Sequence, residues 1–218
     1  NDIPAVAIVD PELMYSMPKG LTAATGMDAL THAIESYITP GAWVMSDMFE
    51  IKAIEMIAAN LKAAVDNGKD TAAREAMAQA QYIAGMGFSN VGLGIVHSMA
   101  HPLGAFYDTP HGVANALLLP YVMEYNAESP AAPKYKEIAK AMGVNVDGMS
   151  TEEGVKAAVD AVKALSISIN IPQKLREIGV KEEDIPALAV AAFNDVCTGG
   201  NPRSTSVEDI EALYRKAF

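Results

Sequence analysis

The four histidines of this 218-residue chain lie where a metal centre could form. Three of them, His97, His101 and His111, fall within fifteen residues, and the fourth, His32, follows Asp28 by four positions. Residues four apart share one face of a helix, so Asp28 and His32 can reach the same ion. The same holds for His97 and His101. The spacing therefore predicts a site that combines imidazole and carboxylate donors.

The types of these donors indicate the kind of ion. Imidazole binds iron, zinc, copper and nickel, and a carboxylate makes the site harder. One Asp with three His suits Fe(II) or Zn(II), with a coordination position left for a substrate oxygen, and such an ion polarises a carbonyl group. His111 lies in the loop-like segment Thr109–Gly112 and could complete the set. Spacing alone leaves open whether His101 also binds the ion.

Each pair considered by itself has a simpler explanation. An Asp-x-x-x-His pair is usually a surface pair or a hydrogen-bonded pair in the core, and a His-x-x-x-His pair also occurs without a metal. In this chain all four histidines lie in two apolar stretches that carry few charges. That concentration favours a shared metal site over two unrelated pairs.

The elements that position these residues are predicted to be mostly helical. Ala, Met, Leu, Glu and Lys are abundant and aromatic residues make up only 6% of the chain, a composition that favours helix over sheet. Apolar residues recur at helical spacing between Pro, Gly and Asn residues that mark helix ends. The predicted helices span 22–38, 46–65, 71–88, 113–126, 134–142, 150–169, 172–178, 182–196 and 206–217, and a buried apolar stretch over 89–99 ends at Pro102–Gly104.

The N-terminal segment is predicted to differ from the rest. Ala5–Val9 is short, apolar and followed by Asp10 and Pro11, which indicates one buried strand. Because a single strand cannot stabilise itself, we expect it to belong to a sheet encoded upstream of Asn1. The start of the chain has neither an initiator Met nor a signal-peptide pattern, which favours a chain that begins within a longer protein. The predicted fold class is mainly α, an all-helical metal-binding domain with one leftover β-strand at the N-terminus.

The charge of the chain argues against several partners. Sixteen basic and 27 acidic residues give a formal net charge of −11, which disfavours nucleic acid and anionic membrane surfaces. No run of about 18 apolar residues occurs, so no transmembrane helix is predicted. The single cysteine, Cys197, excludes an intramolecular disulfide. A lone thiol with twelve methionines suits the reducing cytoplasm.

Several segments of the chain resemble the signatures of the iron-containing (group III) alcohol dehydrogenases. The first signature corresponds to Ala23–Glu35, and the second corresponds to Gly92–Gly104 with its continuation Pro110–Ala116. The tail Cys197–Arg203 is also similar, and the resemblance covers essentially the whole chain. It implies a helical iron-binding catalytic domain over 18–218 and a remnant strand of an upstream nucleotide-binding domain over 1–17.

The resemblance also implies roles for individual residues. The expected metal ligands are Asp28, His32, His97 and His111. His101 is expected to lie near the reaction centre as a catalytic residue for proton transfer, and not on the ion. Phe88 and Cys197 are expected to line the substrate pocket. Without the resemblance, Phe88 would be interpreted as a core residue and Cys197 equally well as a small buried hydrophobe.

The activity implied by the resemblance is the interconversion of a small aldehyde and a primary alcohol by hydride transfer with NAD(H). Fe(II) is the expected ion, with Zn(II) as the alternative, and lactaldehyde with 1,2-propanediol is the expected substrate pair. The glycine-rich phosphate motif of the family lies in its N-terminal domain and is missing from this sequence. We therefore expect most of the NAD site to be absent and the chain to be inactive by itself. The full-length protein is expected to be a cytoplasmic homo-oligomer.

Two other functions use similar residues. A metal-dependent hydrolase also clusters His and Asp, but it would turn over without a nicotinamide and often with a second ion. A non-catalytic helical module would need the ion for folding. The glycine-rich stretch Gly85–Gly94 lacks the preceding strand of a nucleotide loop and favours helix packing. Glu35, one turn after His32, is predicted to be a solvated surface acid, with a place behind a metal ligand as the alternative.

Overall fold

The computed structural model describes residues 6–218, which form nine α-helices and four short 3₁₀ helices. The α-helices are α1 (Lys19–Ile38), α2 (Val44–Asp66), α3 (Thr71–Val91), α4 (Ile95–Tyr107), α5 (His111–Asn126), α6 (Lys134–Ala141), α7 (Thr151–Ser168), α8 (Ile185–Phe193) and α9 (Val207–Ala217). The 3₁₀ helices are Pro11–Met14, Leu175–Ile178, Glu182–Asp184 and Thr198–Gly200. No strand occurs within 6–218, so the expectation of a mainly α fold is confirmed.

The region around the second histidine pair differs from the expectation in two respects. The predicted end at Pro102–Gly104 is wrong, because α4 continues to Tyr107. An interior proline removes one helical hydrogen bond, but Pro102 and Leu103 are buried, and their packing holds the helix together. His111 is the first residue of α5, preceded by Pro110, and so it lies at a helix start and not in a loop.

Two segments near the C-terminus are less helical than predicted. The segment 172–178 forms only the 3₁₀ turn Leu175–Ile178, which ends where Gly179 adopts a φ of +83°. The segment 182–196 divides into a 3₁₀ turn and α8, which stops at Phe193. After Phe193 the chain leaves the helix and turns toward α4.

The predicted buried strand Ala5–Val9 is not formed in the part of the chain that is described. Ala5 lies outside that part, and residues 6–10 have no regular secondary structure. The side chains of Val6 and Ile8 are 77% and 90% exposed, respectively. A strand needs a neighbour for its backbone N–H and C=O groups, and residues 6–218 provide none. The place of this segment in the sheet of a longer protein stays a prediction.

Helix α1 is the central element, because it packs against α2, α3 and α5 and buries fourteen of its twenty residues. Two glycines permit its close contacts. A Cβ atom on Gly26 would lie 2.2 Å from Cδ1 of Leu61 in α2, and one on Gly112 would lie 2.3 Å from the carbonyl oxygen of Ala24. The second contact sets the start of α5 against α1, beside Asp28. Among the helices described, none is both long and apolar enough to cross a membrane.

Candidate metal centre

Side chains from three helices converge where α4 and α5 begin. Asp28 on α1, His97 on α4 and His111 on α5 each offer a ligand atom, and these three atoms lie within 4.8 Å of one another. Oδ1 of Asp28 is 3.8 Å from Nε2 of His97 and 3.5 Å from Nε2 of His111. Three of the four predicted ligands therefore meet at one point.

His32 lies beside this group and is not a member of it. Its Nδ1 is 2.9 Å from the carbonyl oxygen of Asp28 and 3.9 Å from the Asp28 carboxylate. A carbonyl oxygen can only accept, so Nδ1 carries the proton and Nε2 is the nitrogen left to bind an ion. The ring is packed between His97, at 4.3 Å between centroids, and Phe88, at 4.5 Å.

The buried Nε2 atom of His97 tests whether a metal ion fits this site. His97 is 2% exposed, and its Nε2 has no hydrogen-bond partner in the described part of the chain. Buried polar atoms without a partner are rare in proteins, and they need an explanation such as a bound ion. Among residues 6–218, the Asp28 carboxylate is the only acidic group within 4 Å of this nitrogen. It is also a second candidate donor for the same ion. The donor set and the unmet nitrogen both fit a divalent cation.

Glu35 holds the opposite side of the His97 ring. Its Oε2 is 2.5 Å from Nδ1 of His97, and its Oε1 accepts the backbone N–H of Val96 at 2.7 Å. The prediction of a solvated surface acid is wrong, because Glu35 is only 2% exposed. The alternative, a place behind a candidate ligand, agrees with the contact, although the candidate ligand that it touches is His97 and not His32.

The environment shifts the pKa values of the neighbouring imidazoles of His32, His97 and His111 in different directions. Burial lowers the pKa of His32, and the neighbouring His97 lowers it further. Burial also lowers the pKa of His111. Burial opposes protonation of His97 as well, but the hydrogen bond and charge of Glu35 outweigh it and raise the pKa of His97. The neutral imidazoles of His32 and His111 are the form that binds metals.

Asn115 is a neighbour of the cluster that the sequence interpretation did not single out. It is buried on α5, one turn after His111, and its Nδ2 donates to Oδ1 of Asp28 at 2.6 Å. The same nitrogen lies 3.0 Å from Nε2 of His111. The amide therefore fixes the Asp28 carboxylate next to His111. Asn115 follows His111 by four residues, and this spacing could have predicted that the two side chains share one face of a helix.

His101 lies next to the cluster and has a different partner. Its Nδ1 is 2.7 Å from Oδ2 of Asp195, and its ring stacks on His111 with 5.4 Å between centroids. Burial opposes ionisation of Asp195, but hydrogen bonds from the backbone N–H of Cys197 and from His101 outweigh it and lower the pKa of Asp195. The result is an ionised carboxylate that holds a 41% exposed imidazole.

Sequence reasoning missed Asp195. The residue lies 94 positions after His101, in the segment that follows α8, and the two meet only through the packing of α8 on α4. The sequence offered one indication of its place, because Asp195 lies two residues before Cys197, which was expected to line the substrate pocket.

Phe88 and Cys197 lie at the edges of this region. Phe88 is half-buried near the end of α3 and stacks on His32. Burial raises the pKa of the Cys197 thiol to about 12, with the Asp195 charge as the next cause. Cys197 is therefore a neutral thiol at physiological pH and neither a nucleophile nor a thiolate ligand.

A cavity of about 460 Å³ opens beside the cluster, between α1 and α3. Asp28 and His32 line it together with Phe88, and Met17 and Met77 contribute apolar walls. Sites for small organic molecules usually combine such apolar walls with a few polar groups. The cavity gives a small molecule access to the side of the cluster formed by Asp28 and His32.

Comparison with known proteins shows which family the chain belongs to. The profile described as "Fe-containing alcohol dehydrogenase family, C-terminal" matches residues 22–218. The chain belongs to the iron-containing alcohol dehydrogenase family. The match includes the whole of α4 and α5 and nearly all of α1, and so it contains every residue of the cluster.

Members of this family are similar to the chain along its whole length. Lactaldehyde reductase of Escherichia coli K12 is 62% identical over 218 residues, and 1,3-propanediol dehydrogenase of Klebsiella pneumoniae is 49% identical over 218 residues. The crystal structure of a 1,3-propanediol oxidoreductase superposes with a TM-score of 0.97 at 49% identity and covers 99% of this chain. The chain covers 56% of each of these three proteins, and so it spans about half the length of its relatives.

Proposed function

We propose that this protein is an oxidoreductase that interconverts small aldehydes and primary alcohols with NAD(H) at an Fe(II) centre, with Zn(II) as the alternative ion. The observation that carries the proposal is that Asp28, His97 and His111 meet in a chain of this family. Among the described residues, the buried Nε2 of His97 has no hydrogen-bond partner there. His32 would complete the ligand set through Nε2. Membership of the family favours this reaction over a hydrolase and over a non-catalytic metal-binding module.

The chain's own residues hold the donors in place. When bound, the ion would supply Lewis-acid polarisation of a carbonyl oxygen and NAD(H) would supply or accept the hydride. Glu35 holds His97 through Nδ1, and Asn115 holds the Asp28 carboxylate. Donors fixed in this way need little rearrangement during a reaction. Such preorganised groups stabilise the charge that develops in the transition state.

His101 is proposed as the catalytic residue that moves a proton. Because Nδ1 donates to Asp195, Nε2 is the ring nitrogen that can take up or release a proton. The imidazole is 41% exposed, so it can exchange that proton with solvent. Asp195 acts as a positioning residue, since it fixes the tautomer and the direction of the ring.

Lactaldehyde and 1,2-propanediol are the proposed substrate pair. The support is the 62% identity to a lactaldehyde reductase and a cavity with apolar walls that begins at Asp28 and His32. Phe88 is proposed to contact the substrate from within this cavity. Cys197 is proposed to contact it from the side of Asp195, as a small neutral group.

The domain organisation is also part of the proposal. Residues 18–218 would be the helical catalytic domain, and residues 1–17 would lead into it from a nucleotide-binding domain. Most of the NAD site would lie in that other domain, because the chain spans about half the length of its relatives and contains no glycine-rich phosphate loop. The 218 residues alone would then be inactive, and the full-length protein would assemble as a homo-oligomer.

The test is an assay of the full-length gene product, purified without oxygen and supplied with Fe(II). We expect NADH to be consumed with lactaldehyde and NAD⁺ to be reduced with 1,2-propanediol. The His97→Ala variant should lose both activities. Consumption of the aldehyde without a nicotinamide, or an unchanged rate in the variant, would contradict the proposal.

A further inference from the structure

We propose that Glu35 is the positioning residue that orients His97 toward the ion and sets the metal affinity of the centre. The inference rests on the proposed function only in that the cluster holds a divalent cation. Within residues 6–218, the carboxylate does not line the cavity beside Asp28 and His32, and His97 is the only candidate ligand to which it hydrogen-bonds. Its whole effect on the centre would pass through the ring of His97.

The two oxygens of Glu35 each serve a different N–H group. Oε2 faces Nδ1 of His97 at 2.5 Å, and Oε1 accepts the N–H of Val96 at 2.7 Å. Val96 is the second residue of α4, so its N–H has no acceptor within the helix. A carboxylate at a helix start is also stabilised by the helix dipole. Glu35 thus joins α1 to α4 at the residue next to the ligand.

A glycine makes room for this contact. Gly94 immediately precedes α4, and a Cβ atom there would lie 2.9 Å from Oε1 of Glu35 and 3.2 Å from Oδ1 of Asn201. Asn201 is itself fixed by a reciprocal amide pair with Asn126, at 2.8 Å in both directions. The wall behind Glu35 is therefore rigid, and any side chain at Gly94 would push the carboxylate away from its place.

The contact determines which nitrogen of His97 is available. A carboxylate oxygen that carries no proton can only accept, so Nδ1 is the donor, and Nε2 keeps its lone pair in the neutral imidazole. Nε2 is the atom that faces Oδ1 of Asp28 at 3.8 Å, and it has no hydrogen-bond partner among residues 6–218. In metal sites, carboxylates that bind the far nitrogen of a histidine ligand raise its basicity and fix its direction. Without Glu35, the buried ring could adopt the other tautomer, which binds no ion at Nε2.

The test is the affinity of the full-length gene product for Co(II), with the visible absorption of the bound ion as the signal. Glu35→Gln keeps the size of the side chain but leaves one acceptor for two N–H donors. We expect its affinity to fall roughly 10- to 100-fold, with a changed spectrum. Glu50→Gln is the matched control, because Glu50 on α2 is also fully buried but hydrogen-bonds none of the candidate ligands. The control should bind Co(II) as the unsubstituted protein does.

A second variant covers the case in which Glu35→Gln fails to fold. Gly94→Ala keeps the carboxylate and only displaces it, and it should lower the Co(II) affinity in the same direction. Unchanged affinity and spectrum in either folded variant would overturn the inference while leaving the proposed function standing. Absence of Co(II) binding by the unsubstituted protein would overturn both, since the cluster would then hold no ion.

Discussion

Nδ1 of His101 lies 2.7 Å from Oδ2 of Asp195, a contact between residues 94 positions apart. Asp195 is held in turn by the backbone N–H of Cys197 at 2.9 Å, and Oγ of Ser98 lies 3.3 Å from the same carboxylate. The His101–Asp195 pair therefore has a fixed geometry next to the cluster of Asp28, His97 and His111. The two histidines of the His-x-x-x-His pair therefore have different acidic neighbours, because Nε2 of His97 faces Asp28 and Nδ1 of His101 faces Asp195.

The Asp195→Asn variant tests whether this contact positions His101. An amide can no longer select the tautomer as a charged carboxylate does, and hydrogen bonds to charged groups contribute about 1.5–3 kcal/mol. We expect kcat to fall roughly 10- to 100-fold with an altered pH profile, which corresponds to that energy. Metal content should stay the same. Wild-type turnover in the variant would remove Asp195 from the account.

The His101→Ala variant tests the assignment of His101 to proton transfer. Loss of a general acid–base group typically lowers the rate about 10²- to 10⁴-fold. The variant should keep its metal, because Asp28, His97 and His111 form the cluster without it. Elemental analysis and steady-state kinetics on the same sample provide both measurements. If the metal is lost together with activity, His101 is a ligand.

The Gly112→Ala variant tests whether the contact between α5 and α1 supports the site. The added Cβ would lie 2.3 Å from the carbonyl oxygen of Ala24, so the start of α5 must move and His111 must move with it. We expect a loss of about 1–3 kcal/mol in the free energy of unfolding, together with weaker Co(II) binding. Gly20→Ala is the control, because no contact with its Cβ position lies within 4 Å in the part of the chain that the structure describes. Equal stability and equal binding in the two variants would show that the contact is not needed.

The buried carboxyl group of Glu50 should make the free energy of unfolding depend on pH. Its carboxylate, on α2, is buried against α3, where a Cβ atom on Gly87 would lie 2.0 Å from it, and it has no hydrogen-bond partner among residues 6–218. Burial raises the pKa of Glu50 from 4.5 to about 8. The folded state thus favours the protonated acid. The stability that this provides is complete below pH 4.5 and is lost as the pH rises to about 8.

Urea unfolding of the Glu50→Gln variant measures this effect. Gln stays neutral, so the variant should gain stability relative to the unsubstituted protein as the pH rises through this window. The gain has an upper limit of about 1.4 kcal/mol for each pH unit. It should level off above pH 8. Parallel pH curves for the two proteins would mean that Glu50 titrates normally.

Much of the fold was predictable because the helices carry their own signals. The spacing of apolar residues and the stop residues located α1, α2, α3 and α5 to within a few positions. The signal failed at Pro102, where core packing outweighs the local effect of proline. It also failed at residues 6–9, where an apolar β-branched sequence predicted burial but no neighbouring strand is present among the residues described.

The candidate site was predictable only where its residues are close in sequence. Asp28 with His32, and His97 with His111, belong to short motifs, and three of these four meet at one point. Glu35 and Asp195 were not assigned to their partners, which lie 62 and 94 positions away. Contacts of this length depend on how whole helices pack, and no local pattern specifies them. Polarity alone therefore suggested that Glu35 was exposed.

The most direct test of the central claim is the metal content of the anaerobically purified full-length gene product and of its His97→Ala variant. His97 contributes the buried nitrogen that has no hydrogen-bond partner among the residues described, so its removal should disable the centre. We predict about one iron or zinc ion per chain in the unsubstituted protein and little or none in a folded His97→Ala variant. Equal metal content in the two proteins, or no metal in either of them, would contradict it.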